Sequence, residues 1–107
     1  MNLTREEAVA KLEGWLAANA NVQLFVRDIH GQGFRQLVKI PEVSHDFVKL
    51  DIGGGDWIQL TLENAHFASY SHPEAPPPQL MMMPPAVPFV LVITKGILNF
   101  VLYEVAE

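Results

Sequence analysis

Four histidines, His30, His45, His66 and His72, are the ready general bases and transition-metal ligands of this chain. Imidazole is the side chain that exchanges a proton near neutral pH without help from its surroundings. The chain has no cysteine, which removes thiolate zinc sites, thiol nucleophiles and disulfides. His45 sits beside Asp46 in a loop and His66 borders the last strand of a meander. Loops meeting at one end of a sheet could assemble His45, Asp46 and His66 into a metal or acid–base site. No two histidines have the four-residue helical spacing of a zinc pair. Ser44-His45-Asp46 contains the residue types of a hydrolytic triad, but neighbours on an extended chain point to alternating sides, whereas triad members meet through the fold.

Asp51 and Asp56 flank Gly53-Gly54-Gly55 and suit a turn, and with Asp46 and Glu63 they exhaust the carboxylates available for paired acid–base work in this region. The triple glycine is not followed by Lys-Ser or Lys-Thr and leads into a strand, so it lacks the donors of a phosphate loop. Met81, Met82 and Met83 cannot all turn their thioethers to one ion from an extended chain, and they read as adaptable packing groups. No cofactor is expected, and binding is expected ahead of catalysis.

The elements that would position these groups follow from hydrophobic spacing. Residues 4–19 predict a helix: Thr4 and Glu7 have capping-box spacing, and Ala8, Val9, Leu12, Trp15 and Leu16 form one apolar stripe. The period then changes to two. Residues 22–70 predict an antiparallel meander, with Val22, Leu24 and Val26, then Val48, Leu50 and Ile52, then Ile58, Leu60 and Leu62 facing inward. After Glu63-Asn64 the parity slips, so His66 to Tyr70 reads as a short strand or as a continuation past a bulge. By the same parity Trp57 falls outside, and with Phe67, Tyr70 and Met82 it makes a candidate binding surface.

Residues 71–88 hold seven of the eight prolines and form a stiff tether. In polyproline form it could span roughly 50 Å. Residues 89–105 predict a hairpin turning at Gly96, and twelve of its seventeen residues are large and apolar. Leaving half of them wet would forgo on the order of 10 kcal/mol, comparable to the whole stability of a domain. Both faces must therefore be covered. The helix can cover one, and the meander or a second copy delivered by the tether can cover the other. Phe89, Leu91, Ile93, Leu98, Phe100 and Leu102 are the candidate interface, and a homo-oligomer is the expected state.

A chain of 107 residues is the size of one domain. Its net charge of −5, with seven scattered Lys and Arg, disfavours nucleic acid and anionic membrane as partners. The first residues lack the apolar core of a signal peptide and no apolar run is long enough to span a bilayer, so a cytoplasmic location is expected. The order helix, short strands, then a slip after Glu63-Asn64 resembles small Sm-like or SH3-like barrels over Leu3 to Tyr70, in pattern alone. The lysine- and histidine-bearing RNA signature of bacterial Sm-like proteins is not present.

The expected architecture is thus α+β or mainly β. An N-terminal helix precedes a meander curling toward a barrel, then the tether, then the hairpin. Three functions are carried forward: an oligomeric, non-catalytic binding or scaffolding module with room for a protein partner; a small-ligand or metal site on the loop histidines; and an Sm-like RNA binder.

Overall fold

The computed structural model describes residues 2–70 and 89–105. The prolines of the tether, together with His72 and Met82, lie outside the described residues, as does the side chain of Tyr70. Among the described residues, one helix and an antiparallel sheet make up the fold. In chain order the elements are β1 (Asn2–Leu3), α1 (Arg5–Ala17), β2 (Val22–Arg27), β3 (Gly33–Val43), β4 (Phe47–Gly53), β5 (Asp56–Thr61), β6 (His66–Tyr70), β7 (Val90–Lys95) and β8 (Leu98–Glu104). None of the described helices is long and apolar enough to cross a membrane.

The helix begins where the capping box requires. Thr4 Oγ1 accepts from the Glu7 N–H at 3.2 Å, and Glu7 Oε1 accepts from the Thr4 N–H at 2.9 Å. Two otherwise orphaned donors are thereby satisfied. It ends at Ala18, and Asn19 turns the chain with φ of 51°, a conformation that asparagine tolerates. Ala8, Val9, Leu12 and Trp15 are buried on its inner face. Trp15 meets Phe89 edge-on at 6.2 Å, and the Lys11 ammonium lies over both rings.

The strand order is β1-β6-β7-β8-β2-β3-β4-β5, with every neighbouring pair antiparallel. The C-terminal hairpin is therefore not an appendage. β8 pairs with β2 from Val22↔Glu104 to Arg27↔Asn99, and β7 pairs with β6 from His66↔Thr94 to Tyr70↔Val90. Both edges of the hairpin are satisfied within one chain.

Following the alternation across the sheet, β5 and β6 run in the same sense although they stand near its opposite ends. Only residues 62–65 separate them, so the sheet must coil until its two flanks meet at that corner. Asn64, with φ of 59°, makes the step. Two further irregularities sharpen the coil: the β3–β4 register shifts between Lys39 and Glu42, around Pro41, and the β4–β5 register shifts between Asp51 and Gly53. No ladder joins β5 to β6 among the described pairings.

The core lies between the helix and the concave side of the sheet. Leu12, Leu24, Leu50, Leu62, Leu91, Ile93 and Leu102 are fully buried in it. A second apolar cluster, Val90, Val92, Val101 and Tyr103 with Phe25, Ala68 and Val105 packed against it, occupies the opposite face of the hairpin strands. The hairpin is thus buried on both sides, as its composition requires, and Phe25 stacks on Tyr103 at 6.3 Å.

Candidate functional site

The β3–β4 turn places the Ser44-His45-Asp46 stretch. Ser44 Oγ accepts from the Asp46 and Phe47 N–H groups at 3.1 Å each, and the Ser44 N–H donates to Phe47 O at 2.8 Å. The hydroxyl is committed to the turn, which explains why serine suits this position. His45 projects to the surface. Its Nε2 lies 3.5 Å from Glu6 Oε1 and its Nδ1 lies 3.7 Å from Asp46 Oδ1. Arg5 Nη1 stands 3.9 Å from the same Asp46 oxygen. A main-chain hydrogen bond, and then His45, hold the Glu6 carboxyl below the usual carboxylate range. Glu6, His45 and Asp46 are exposed and Arg5 is half-buried, a setting in which ion pairs contribute little.

His66, at the start of β6, lines an open cleft of about 380 Å³ with Asn2, Leu3, Arg5, Ala65 and Phe67. Among the described residues no group of three or more His, Cys, Asp or Glu side chains is placed to hold a metal ion. Arg5 stands between the His66 cleft and the Asp46 ion pair and gives that corner a cationic group instead.

The expected interface residues divide by position. Leu91, Ile93, Phe100 and Leu102 are buried in the chain's own core, and Phe89 packs against that core beside Trp15. Leu98 alone stands at the surface, at the hairpin turn. The candidate binding surface divides as well. Phe67 is buried in the core, whereas Trp57 is 55% exposed. Trp57 does not meet Trp15. The Lys49 ammonium lies 4.8 Å from its ring and also bonds Glu42 at 3.2 Å. Pro41, Asp51, Gly55 and Asp56 complete a shallow cleft of about 350 Å³ around it.

Two surfaces escaped sequence reasoning. The first is an apolar end of the sheet. β2 and β8 are neighbours and Arg27 pairs with Asn99, so the β2–β3 and β7–β8 turns project side by side, roughly 10 Å apart at two strand spacings. Ile29 (68% exposed), Ile97 (62%), Phe34 and Leu98 gather there. Phe34 and Leu98 hold core-facing parity, opposite Val26 and Lys95, but lie past the end of the core. Among the described residues, four of the six exposed large hydrophobic ones thus sit at one end.

The second is the outer edge of β5. The Leu62 N–H donates to Asp46 O at 2.8 Å, which fixes the alternation of the β4–β5 ladder. Val48↔Leu60 and Leu50↔Ile58 are then the hydrogen-bonded pairs, and Trp57, Gln59 and Thr61 turn their N–H and C=O groups away from β4. The Thr61 carbonyl confirms it by accepting from Lys95 Nζ at 3.0 Å, on the side away from β4. No described residue bonds the outward main-chain groups of Trp57 or Gln59.

No family model, no curated protein and no solved structure matches the chain.

Proposed function

We propose that this chain is a non-catalytic binding module that takes a protein partner on the apolar end formed by the β2–β3 and β7–β8 turns. The observation that carries this is the gathering of Ile29, Phe34, Ile97 and Leu98 at that end, all exposed. Large aliphatic and aromatic side chains on adjacent turns forgo their burial unless something covers them, and contiguous patches of this kind mark interaction sites. The turns themselves are well built for the purpose. Asp28 Oδ1 accepts from the His30 and Gln32 N–H groups at 2.9 Å each, and Asp28 exchanges further main-chain bonds with Gly31 and Gln32. Ile29 is thereby presented on an ordered loop, so little conformational freedom remains to be lost on binding.

The C-terminal hairpin contributes through its tip, Ile97 and Leu98, rather than through its strands, whose apolar groups are already buried. The loop histidines supply no comparable arrangement, since Ser44 is held in its turn and His45 pairs with surface carboxylates.

Site-specific photo-crosslinking tests the proposal. A photoreactive residue replacing Ile97 in the full chain, activated in the cells that express it, gives a protein adduct of defined mass that is lost on adding Ile29→Lys. The same group at Glu13, exposed on the helix, gives none. Absence of a defined adduct from Ile97, or equal labelling from Glu13, refutes the assignment.

A further inference from the structure

An unpaired strand edge is a template for another strand, and soluble proteins blunt such edges with Lys, Pro, inward charges or a covering element. β5 reads Asp-Trp-Ile-Gln-Leu-Thr and carries neither Lys nor Pro, and its one charge, Asp56, stands at its first position. Its free stretch is short and sharply bounded. Lys95 occupies the Thr61 carbonyl at one end, and Asp56 turns back to Gly53 at the other. Between them, the N–H and C=O of Trp57 and of Gln59 point outward with no described partner. Such exposed main-chain groups are hydrated and gain only about 1 kcal/mol per hydrogen bond formed, but they present a ready template for a strand.

We infer that a second copy of this chain docks on β5, antiparallel, about a two-fold axis through Ile58. The axis sets Trp57 of each copy opposite Gln59 of the other. These are two hydrogen-bonded pairs of an antiparallel ladder, exchanging four hydrogen bonds. What selects a second copy over an unrelated strand is this self-complementarity: Trp57 and Gln59 each have both outward groups free, they stand two apart, and the two-fold maps one onto the other, with the outward Thr61 N–H beyond the ladder.

The side chains agree with the register. On the outer face the Gln59 amide lies beside the partner copy's exposed indole, and on the inner face Ile58 meets Ile58, both neutral pairings. The charged residue of β5, Asp56, falls opposite Leu60. The two Asp56 carboxylates are then about 14 Å apart, farther than the screening length of about 8 Å at physiological salt. Local charge therefore permits the pairing, while the net charge of −5 on each copy opposes approach at long range. Association consequently tightens as salt is added.

This goes beyond the apolar end, since β5 and the two turns are separate surfaces and either can operate without the other. Sedimentation equilibrium on the full chain, across protein concentration and salt, tests it with two variants. Gln59→Pro deletes an N–H that faces away from β4, so the intrachain ladder is untouched and edge proline is tolerated. Gln59→Lys keeps the N–H but introduces a gatekeeping charge, and it decides the matter should the proline variant lose its circular dichroism spectrum. The expected result is a monomer–dimer equilibrium for the wild type, tightening with salt. The Trp57 and Gln59 amides exchange more slowly as the dimer forms. Gln59→Pro weakens association by about thirtyfold, two symmetry-related hydrogen bonds being lost. A wild type that stays monomeric throughout, or a dimer equally tight in both variants, overturns the inference.

Discussion

Leu102→Ala is the sharpest probe of how the C-terminal hairpin is held. Leu102 lies on β8 directly between Leu91 on β7 and Leu24 on β2, and all three side chains are fully buried. Truncation removes three carbons from the middle of this row, and strands paired on both sides cannot collapse into the space. The transfer and cavity contributions together make the cost about 3–4 kcal/mol. Against a total stability of about 5–15 kcal/mol that is a large fraction. With a urea slope of about 1.5 kcal/mol per molar, the midpoint falls by about 2 M. Urea titration followed by circular dichroism measures it, with Leu98→Ala at the exposed turn as the control, costing less than about 1 kcal/mol. Both are best measured in the Gln59→Pro background, where β5 pairing is about thirtyfold weaker, at protein concentrations low enough to leave that variant monomeric. Equal losses at Leu102 and Leu98 would refute the packing argument. A midpoint that climbs with concentration in that background would mean the hairpin is exchanged between chains rather than held in its own.

Two other perturbations have directions set by the structure. A Cβ on Gly33 would lie 1.6 Å from the Val26 carbonyl oxygen, a backbone atom that cannot swing aside, so Gly33→Ala separates β2 from β3 and costs about 3 kcal/mol by thermal or urea unfolding. Burial pushes the Tyr103 phenol above its ordinary range, partly opposed by Arg35. The unfolded chain therefore releases this proton first. The associated stability is fully present below about pH 10 and declines as pH rises through the folded value, and Tyr103→Phe removes that share of the alkaline decline.

Much of the architecture was legible because local chemistry and tertiary packing agree. The capping box at Thr4 and Glu7, the apolar stripe ending at Leu16, and the period of two from Val22 all predict what is found. The parity slip after Glu63-Asn64 marked the corner where β5 gives way to β6, although its role in joining the two flanks of the sheet was not visible locally. The requirement that the hairpin be covered on both faces is met, but within one chain. Leu91, Ile93, Phe100 and Leu102 pack in the core with the helix, and a strand apolar on both faces does not say in advance which face that will be. The β2–β8 ladder joins segments some eighty residues apart, from Val22 to Glu104, and no short-range signal encodes such a pairing.

The candidate surfaces were illegible for the same reason. Ile29, Phe34 and Ile97 become one patch only once β2 and β8 are neighbours. The edge status of β5 depends on the order of the whole sheet. A signal did exist in the stretch Asp56 to Thr61, where neither lysine nor proline interrupts the strand, and it acquires meaning once that strand is known to be last. Phe67 moved from the surface to the core because the corner at residues 62–65 reset the parity beyond it.

The pairing of Tyr70 with Val90 has a topological corollary. Since these residues face each other across one ladder, the nineteen positions between them leave and rejoin the sheet at a single point. The sheet therefore sets no minimum reach for that excursion. A two-residue reverse turn would close the same ladder and, by loop-closure entropy, at roughly 2 kcal/mol less cost. The strand order of the sheet is therefore independent of the length of chain between Tyr70 and Val90.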